Sequence, residues 1–143
     1  MKIITYLFIL ILFSFYADAQ GELLSKSRDE IRDHFKKENI YPKEKNTLYG
    51  AASSDAFYTT NNKKVCCGYD KSKICVEVIA LMNLSLIDSI KNNFNTIYLK
   101  RSGETFPDDV WVDKASRFKV HLETMLSMVY LEYLPINKSY IIY

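Results

Sequence analysis

Glycine and proline are scarce in this chain, with 4 and 3 among 143 residues. That excludes collagen-like and Gly/Pro-rich disordered classes. It also leaves too few glycines for a phosphate-cradling loop, and no Gly-x-Gly-x-x-Gly fingerprint occurs. Histidine occurs only twice, at His34 and His121. There is no His-Glu-x-x-His zinc motif and no Gly-x-Ser-x-Gly nucleophile elbow. The three cysteines, Cys66, Cys67 and Cys75, form neither a Cys-x-x-Cys redox motif nor a four-ligand zinc spacing. Charge of one sign is missing too. Lys+Arg number 19 against 17 Asp+Glu, a balance of +2 that argues against a nucleic-acid partner. No catalytic residue, cofactor or metal site is assigned.

What is present begins with an address. Lys2 is followed by an uncharged apolar run, Ile3 to Tyr16, and then by Ala17-Asp18-Ala19. This is the pattern of a secretory signal peptide cleaved after Ala19. The run is shorter than the roughly 20 residues that cross a bilayer. Residues 1–19 are therefore read as the signal and residues 20–143 as a single exported domain, periplasmic or secreted, with no membrane span after cleavage. The 14% aromatic content is too high for a disordered chain.

Leu23 to Glu38 has helical periodicity through Leu24, Ile31 and Phe35. Ser27-Arg28-Asp29-Glu30 fits a capping box, which would start the helix proper near Arg28. Asn39 to Asp55 reads as a loop. Ala56–Thr60, Val65–Tyr69 and Lys73–Leu81 read as a three-strand meander turning at Asn61-Asn62 and Asp70-Lys71-Ser72. Asn83 opens a second helix with the stripe Leu86, Ile87, Ile90 and Phe94, ending near Asn93 or Asn95, and Ser85–Asp88 is a further capping candidate. Strands follow at Thr96–Arg101, Val110–Asp113, from Phe118 and over Ser127–Leu134. Leu122, Met125, Leu126, Val129 and Tyr133 also fit a helical stripe, but the β-formers Val129, Tyr130 and Tyr133 favour a strand. The expected fold is α+β, in the order α-β-β-β-α-β-β-β-β, with two helices on one face of an antiparallel sheet.

A symmetric hairpin at Asp70-Lys71 would oppose Cys66 to Cys75. If a bridge forms, it is expected there, with Cys67 buried and reduced; otherwise all three are small buried hydrophobes. His34 shares a helix face with Glu30 and Glu38, as solvated ionic pairs commonly do. Tyr49, Trp111, Tyr130 and Tyr133 are candidate partner-binding residues, because aromatic side chains bury area at interfaces while Tyr and Trp keep a polar tip. Core packing is the competing reading for Trp111 and for strand tyrosines.

The Ala-Asp-Ala-Gln signal end, the capped helix, the meander with Cys75 after a tight turn, the Leu-Ile-x-x-Ile helix and Trp111-Val112-Asp113 together resemble small exported proteins of Bacteroidota-type bacteria. The helix-plus-meander order also resembles PepSY and β-lactamase-inhibitor-like domains. That resemblance implies binding or inhibition and transfers no catalytic residue. The expectation is a non-catalytic exported module for an unknown protein or envelope component. The alternative is a small periplasmic hydrolase or carbohydrate-processing enzyme with a carboxylate site.

Overall fold

The computed structural model describes residues 20–43, 51–59, 63–101, 109–115 and 117–138. The expected signal segment, Tyr49 and the Asn61-Asn62 turn lie outside them.

Helix α1 (Arg28–Lys36) begins where its cap dictates. The Glu30 N–H donates to Ser27 Oγ at 3.3 Å, and the Ser27 N–H donates to Glu30 Oε2 at 2.8 Å. The box thus satisfies two donors that the first turn would otherwise leave unpaired. It also occupies the Glu30 carboxylate, so that group serves the cap rather than His34. Upstream, Ser25 lies at φ 67°, which keeps Leu23 and Leu24 out of the helix. Ile31 and Phe35, one turn apart, are the buried stripe, and Phe35 stacks on Phe57 with ring centroids 4.1 Å apart.

Strands β1 (Ser53–Tyr58), β2 (Lys64–Tyr69) and β3 (Cys75–Asn83) form the first meander. Asn83 Oδ1 then accepts the Ser85 N–H at 2.9 Å and caps a short 3₁₀ turn, Leu84–Leu86. Helix α2 (Ile87–Ile97) continues from it. The cap is therefore Asn83, not a Ser85–Asp88 box. Because α2 runs on to Ile97, β4 is only Leu99–Arg101. Strands β5 (Val110–Val112), β6 (Phe118–Met125) and β7 (Met128–Pro135) follow. The fold is α+β in the expected strand and helix order, with the 3₁₀ turn added.

Among the described residues, seven strands form one antiparallel sheet, ordered β1-β2-β3-β7-β6-β5-β4. Each meander ends at the centre, so β3 and β7 are partners. Both helices cover one face. Leu23, Ile31 and Phe35 pack there with Phe94 and Tyr98, against Phe57, Val65, Val78, Trp111, Val120 and Leu131. Burying this many large side chains is the main favourable contribution to stability, at roughly 1.5–3 kcal/mol each.

The expected 39–55 loop ends early. β1 starts at Ser53, and Asp55 is a buried strand residue. Its carboxylate accepts from Arg28 Nε and Nη2 at 2.9 and 2.6 Å, and from Arg32 Nε and Nη2 at 2.8 and 2.9 Å. Two bidentate guanidinium forks on one carboxylate dock α1 on β1 and hold the Asp55 pKa far below the ordinary carboxylate range, despite burial that opposes ionisation.

Candidate functional site

Of the aromatic residues expected at a partner surface, two belong to the core. Trp111 is fully buried. Its Nε1–H donates to Asn95 Oδ1 at 2.8 Å, and its ring meets Phe94 edge-on at 5.3 Å. Tyr133 is buried on the same helix-covered side, beside Phe118. Neither side chain is accessible to a partner, because even-spaced strand positions beneath two helices are where large apolar area is removed from water. Tyr130 alone of the described candidates lies on the face opposite α1 and α2, where it packs half-buried against a cluster of Ala56, Cys66 and Ile79.

The cysteine register also differs from expectation. Asp70 closes a wider loop: its Oδ1 accepts from Ser72 N at 2.9 Å and from Ile74 N at 3.0 Å, and Lys73 takes φ 62°. A bulge between Gly68 and Tyr69 then pairs Tyr69 with Cys75, so Cys66 faces Ile79 and Cys67 faces Val78. Cys66 and Cys75 are on opposite sides of the sheet and are not opposed. All three cysteines stand as buried thiols.

Two features on the β6–β7 hairpin were not foreseen. The first is its tip. Met125 pairs with Met128, leaving Leu126-Ser127 as a two-residue turn. Leu126 lies at φ 55°. A bulky L-residue pays roughly 1–2 kcal/mol in the left-handed region, and glycine or asparagine usually fills it. Leu126 is nonetheless 101% exposed, with Met125 at 55% and Met128 at 37%. The Leu84 N–H donates to the Ser127 carbonyl at 3.2 Å, so the 3₁₀ turn braces the tip from below. A rigid scaffold thus holds three apolar side chains out in water. The available sequence signal was a Met-Leu-Ser-Met run without Gly, Asn or Asp at a required turn.

The second lies halfway along the same hairpin, on the sheet face opposite α1 and α2. Ala56, Cys66, Ile79, Glu132, His121, Val110 and Arg101 are successive cross-strand partners over the whole sheet. Neither helix contributes to the apolar cluster on this face. Glu77 lies diagonally from Glu132 and hydrogen-bonds to it. Carboxylates only accept, so this contact needs a proton on one of them. Oε1 of each carboxyl is buried with no hydrogen-bond partner. Burial, with the neighbouring Glu77, pushes the Glu132 pKa up to about 8. Glu77 is raised by burial as well, offset partly by Glu132 and Lys138. His121, directly opposite Glu132, has Nε2 3.5 Å from Glu123 Oε1, and burial lowers its pKa. At neutral pH Glu132 is protonated, beside Glu77 and an uncharged imidazole. Such a group could hold or pass a proton. Glu77 and Glu132 are 4% and 2% exposed. The signal for them was a lone acid inside an apolar strand, in Val76-Glu77-Val78 and in Leu131-Glu132-Tyr133.

Among the described residues no group of His, Cys, Asp and Glu is arranged to hold a metal ion, and no helix is long and apolar enough to cross a membrane. Comparison with family models, with curated proteins and with solved structures finds no match.

Proposed function

We propose that the mature chain is an exported, non-catalytic binding module that seats the β6–β7 tip in an apolar cleft of a partner protein of the envelope. The observation that carries this reading is Leu126, fully exposed at positive φ between two exposed methionines. Exposed apolar area costs solubility, and an unfavourable φ costs stability, so a folded chain keeping both at one braced position points to use. Methionine suits an adaptable contact surface. A tip already held in place loses little further freedom on docking.

The test is capture of partners from envelope extract on immobilised mature chain, beside the variant Leu126→Asp. A stoichiometric protein retained by the wild type and lost with the variant supports the reading. Equal retention by both, or retention of lipid vesicles in place of protein, overturns it.

A second reading is a small hydrolase using Glu132 as a proton donor, favoured by the raised pKa of that carboxyl. Turnover in a glycosidase and esterase screen that vanishes in Glu132→Gln would support it; turnover unchanged in that variant would not.

A further inference from the structure

Cys67 and Cys75 face the same way. The bulge that pairs Tyr69 with Cys75 makes Cys75 the diagonal neighbour of Cys67, two residues back on β2. Both belong to the helix-side core and are almost wholly buried. The thiols touch: Cys67 donates to the Cys75 sulfur, and Cys75 Sγ donates on to the Glu77 carbonyl at 3.4 Å. Cys66 projects from the other face, among Ala56 and Ile79.

We infer that Cys67 and Cys75 are a disulfide pair, closed by exchange with an external disulfide oxidant, and that Cys66 stays outside it. One cysteine, as thiolate, attacks a sulfur of the oxidant and expels one thiolate, leaving a mixed disulfide. The second cysteine then attacks the protein sulfur of that mixed disulfide and expels the other thiolate. Both cysteines lose their protons, one S–S bond forms, and the oxidant leaves as two thiols. The register places the two side chains as diagonal neighbours on one face, with both thiols in the same buried core, and closing the bond needs only that this pair adopt disulfide geometry. The Cys75 contact and then burial raise the Cys67 thiol above its ordinary pKa; because both thiols are buried in the finished fold, exchange with an external oxidant is fast while the chain is folding and slow once the core is packed. The inference does not depend on where the protein resides, nor on the hairpin-tip reading.

The experiment refolds the reduced mature chain in oxidised and reduced glutathione, blocks remaining thiols and maps the peptides without reduction. Cys66 and Cys67 are adjacent and share a peptide, so Cys66→Ser and Cys67→Ser are run alongside the wild type. The expected result is one bond and one blocked thiol in the wild type, the bond kept in Cys66→Ser and lost in Cys67→Ser. The oxidised Cys66→Ser protein should melt roughly 5–15 °C above its reduced form. Three blocked thiols in the wild type, a bond that survives in Cys67→Ser, or an oxidised form melting no higher than the reduced one would each overturn the inference.

Discussion

Glu132 hydrogen-bonds to Glu77 diagonally across the β3–β7 seam, where the two meanders meet. This carboxyl pair links stability to proton uptake, with a sign opposite to that of most acidic side chains.

Both carboxyls have raised pKa values in the fold, Glu132 to about 8 from an ordinary 4.5. Between those values the folded chain holds a proton that the unfolded chain releases, so stability is full below about pH 4.5 and falls as pH rises to about 8. Asp55 and Asp113 are shifted the other way by their arginine partners, and lose their contribution as pH falls below the ordinary carboxylate range. Urea unfolding should therefore show a maximum near about pH 5. Glu132→Gln, which keeps a donor without a charge, should gain roughly 1–3 kcal/mol at pH 8.5 and flatten the alkaline side. A wild type more stable at pH 8.5 than at pH 5 would contradict the pairing.

The Asp55 cluster predicts an order among variants. Arg32 is 40% exposed and shares Asp55 with Arg28, so Arg32→Ala should cost no more than about 1 kcal/mol. Arg28→Ala should cost somewhat more, because its side chain is 17% exposed and also lies over the Tyr69 ring at 5.3 Å. Removing both arginines leaves a buried carboxylate without a counter-charge and should cost roughly 3–5 kcal/mol. Additive losses in the double variant would argue that the two forks do not share one acceptor.

Gly21 is a packing constraint. A Cβ there would overlap the Phe118 ring at Cζ. The Phe118 ring has little room to yield, with Tyr98 at 5.7 Å and Tyr133 at 6.2 Å. Gly21→Ala should destabilise by roughly 1–3 kcal/mol through overpacking, read as a drop in the thermal midpoint. Phe118→Leu in the same chain should recover part of the loss.

At the hairpin tip, folding and binding should respond in opposite directions. Leu126→Asn places a residue suited to positive φ at that backbone position. It should stabilise the chain by roughly 0.5–1 kcal/mol. The same change should weaken partner capture at least tenfold. A variant that is less stable, or that binds as well as the wild type, would remove the reason for keeping leucine there.

The sequence made the helices and strands legible wherever local chemistry decided them. The Ser27/Glu30 box set the start of α1, and the β-formers Val129, Tyr130 and Tyr133 correctly outweighed a competing helical stripe. Register was not legible. A single bulge at Gly68/Tyr69 and a left-handed Lys73 moved Cys75 away from Cys66, and nothing in Asp70-Lys71-Ser72 announces that choice. Asp55 looked like the end of a polar loop because its partners, Arg28 and Arg32, stand on a helix far back in the chain. The aromatic candidates failed for a related reason. Trp111 and Tyr133 have the composition of an interface, but their side of the sheet depends on which face the helices cover. Glu77 and Glu132 become neighbours only when β3 and β7 pair.

That pairing also sets the order of assembly. The last strand of the chain occupies the middle of the sheet, between β3 and β6. The β3 edge of the first meander therefore has no strand partner until nearly all of the polypeptide is available, and that contact closes a loop spanning α2 and three further strands. Such long-range closure is slow and depends on chain completion. A partly synthesised chain should stay unfolded, and removing β7 should abolish folding of both halves rather than trim an edge.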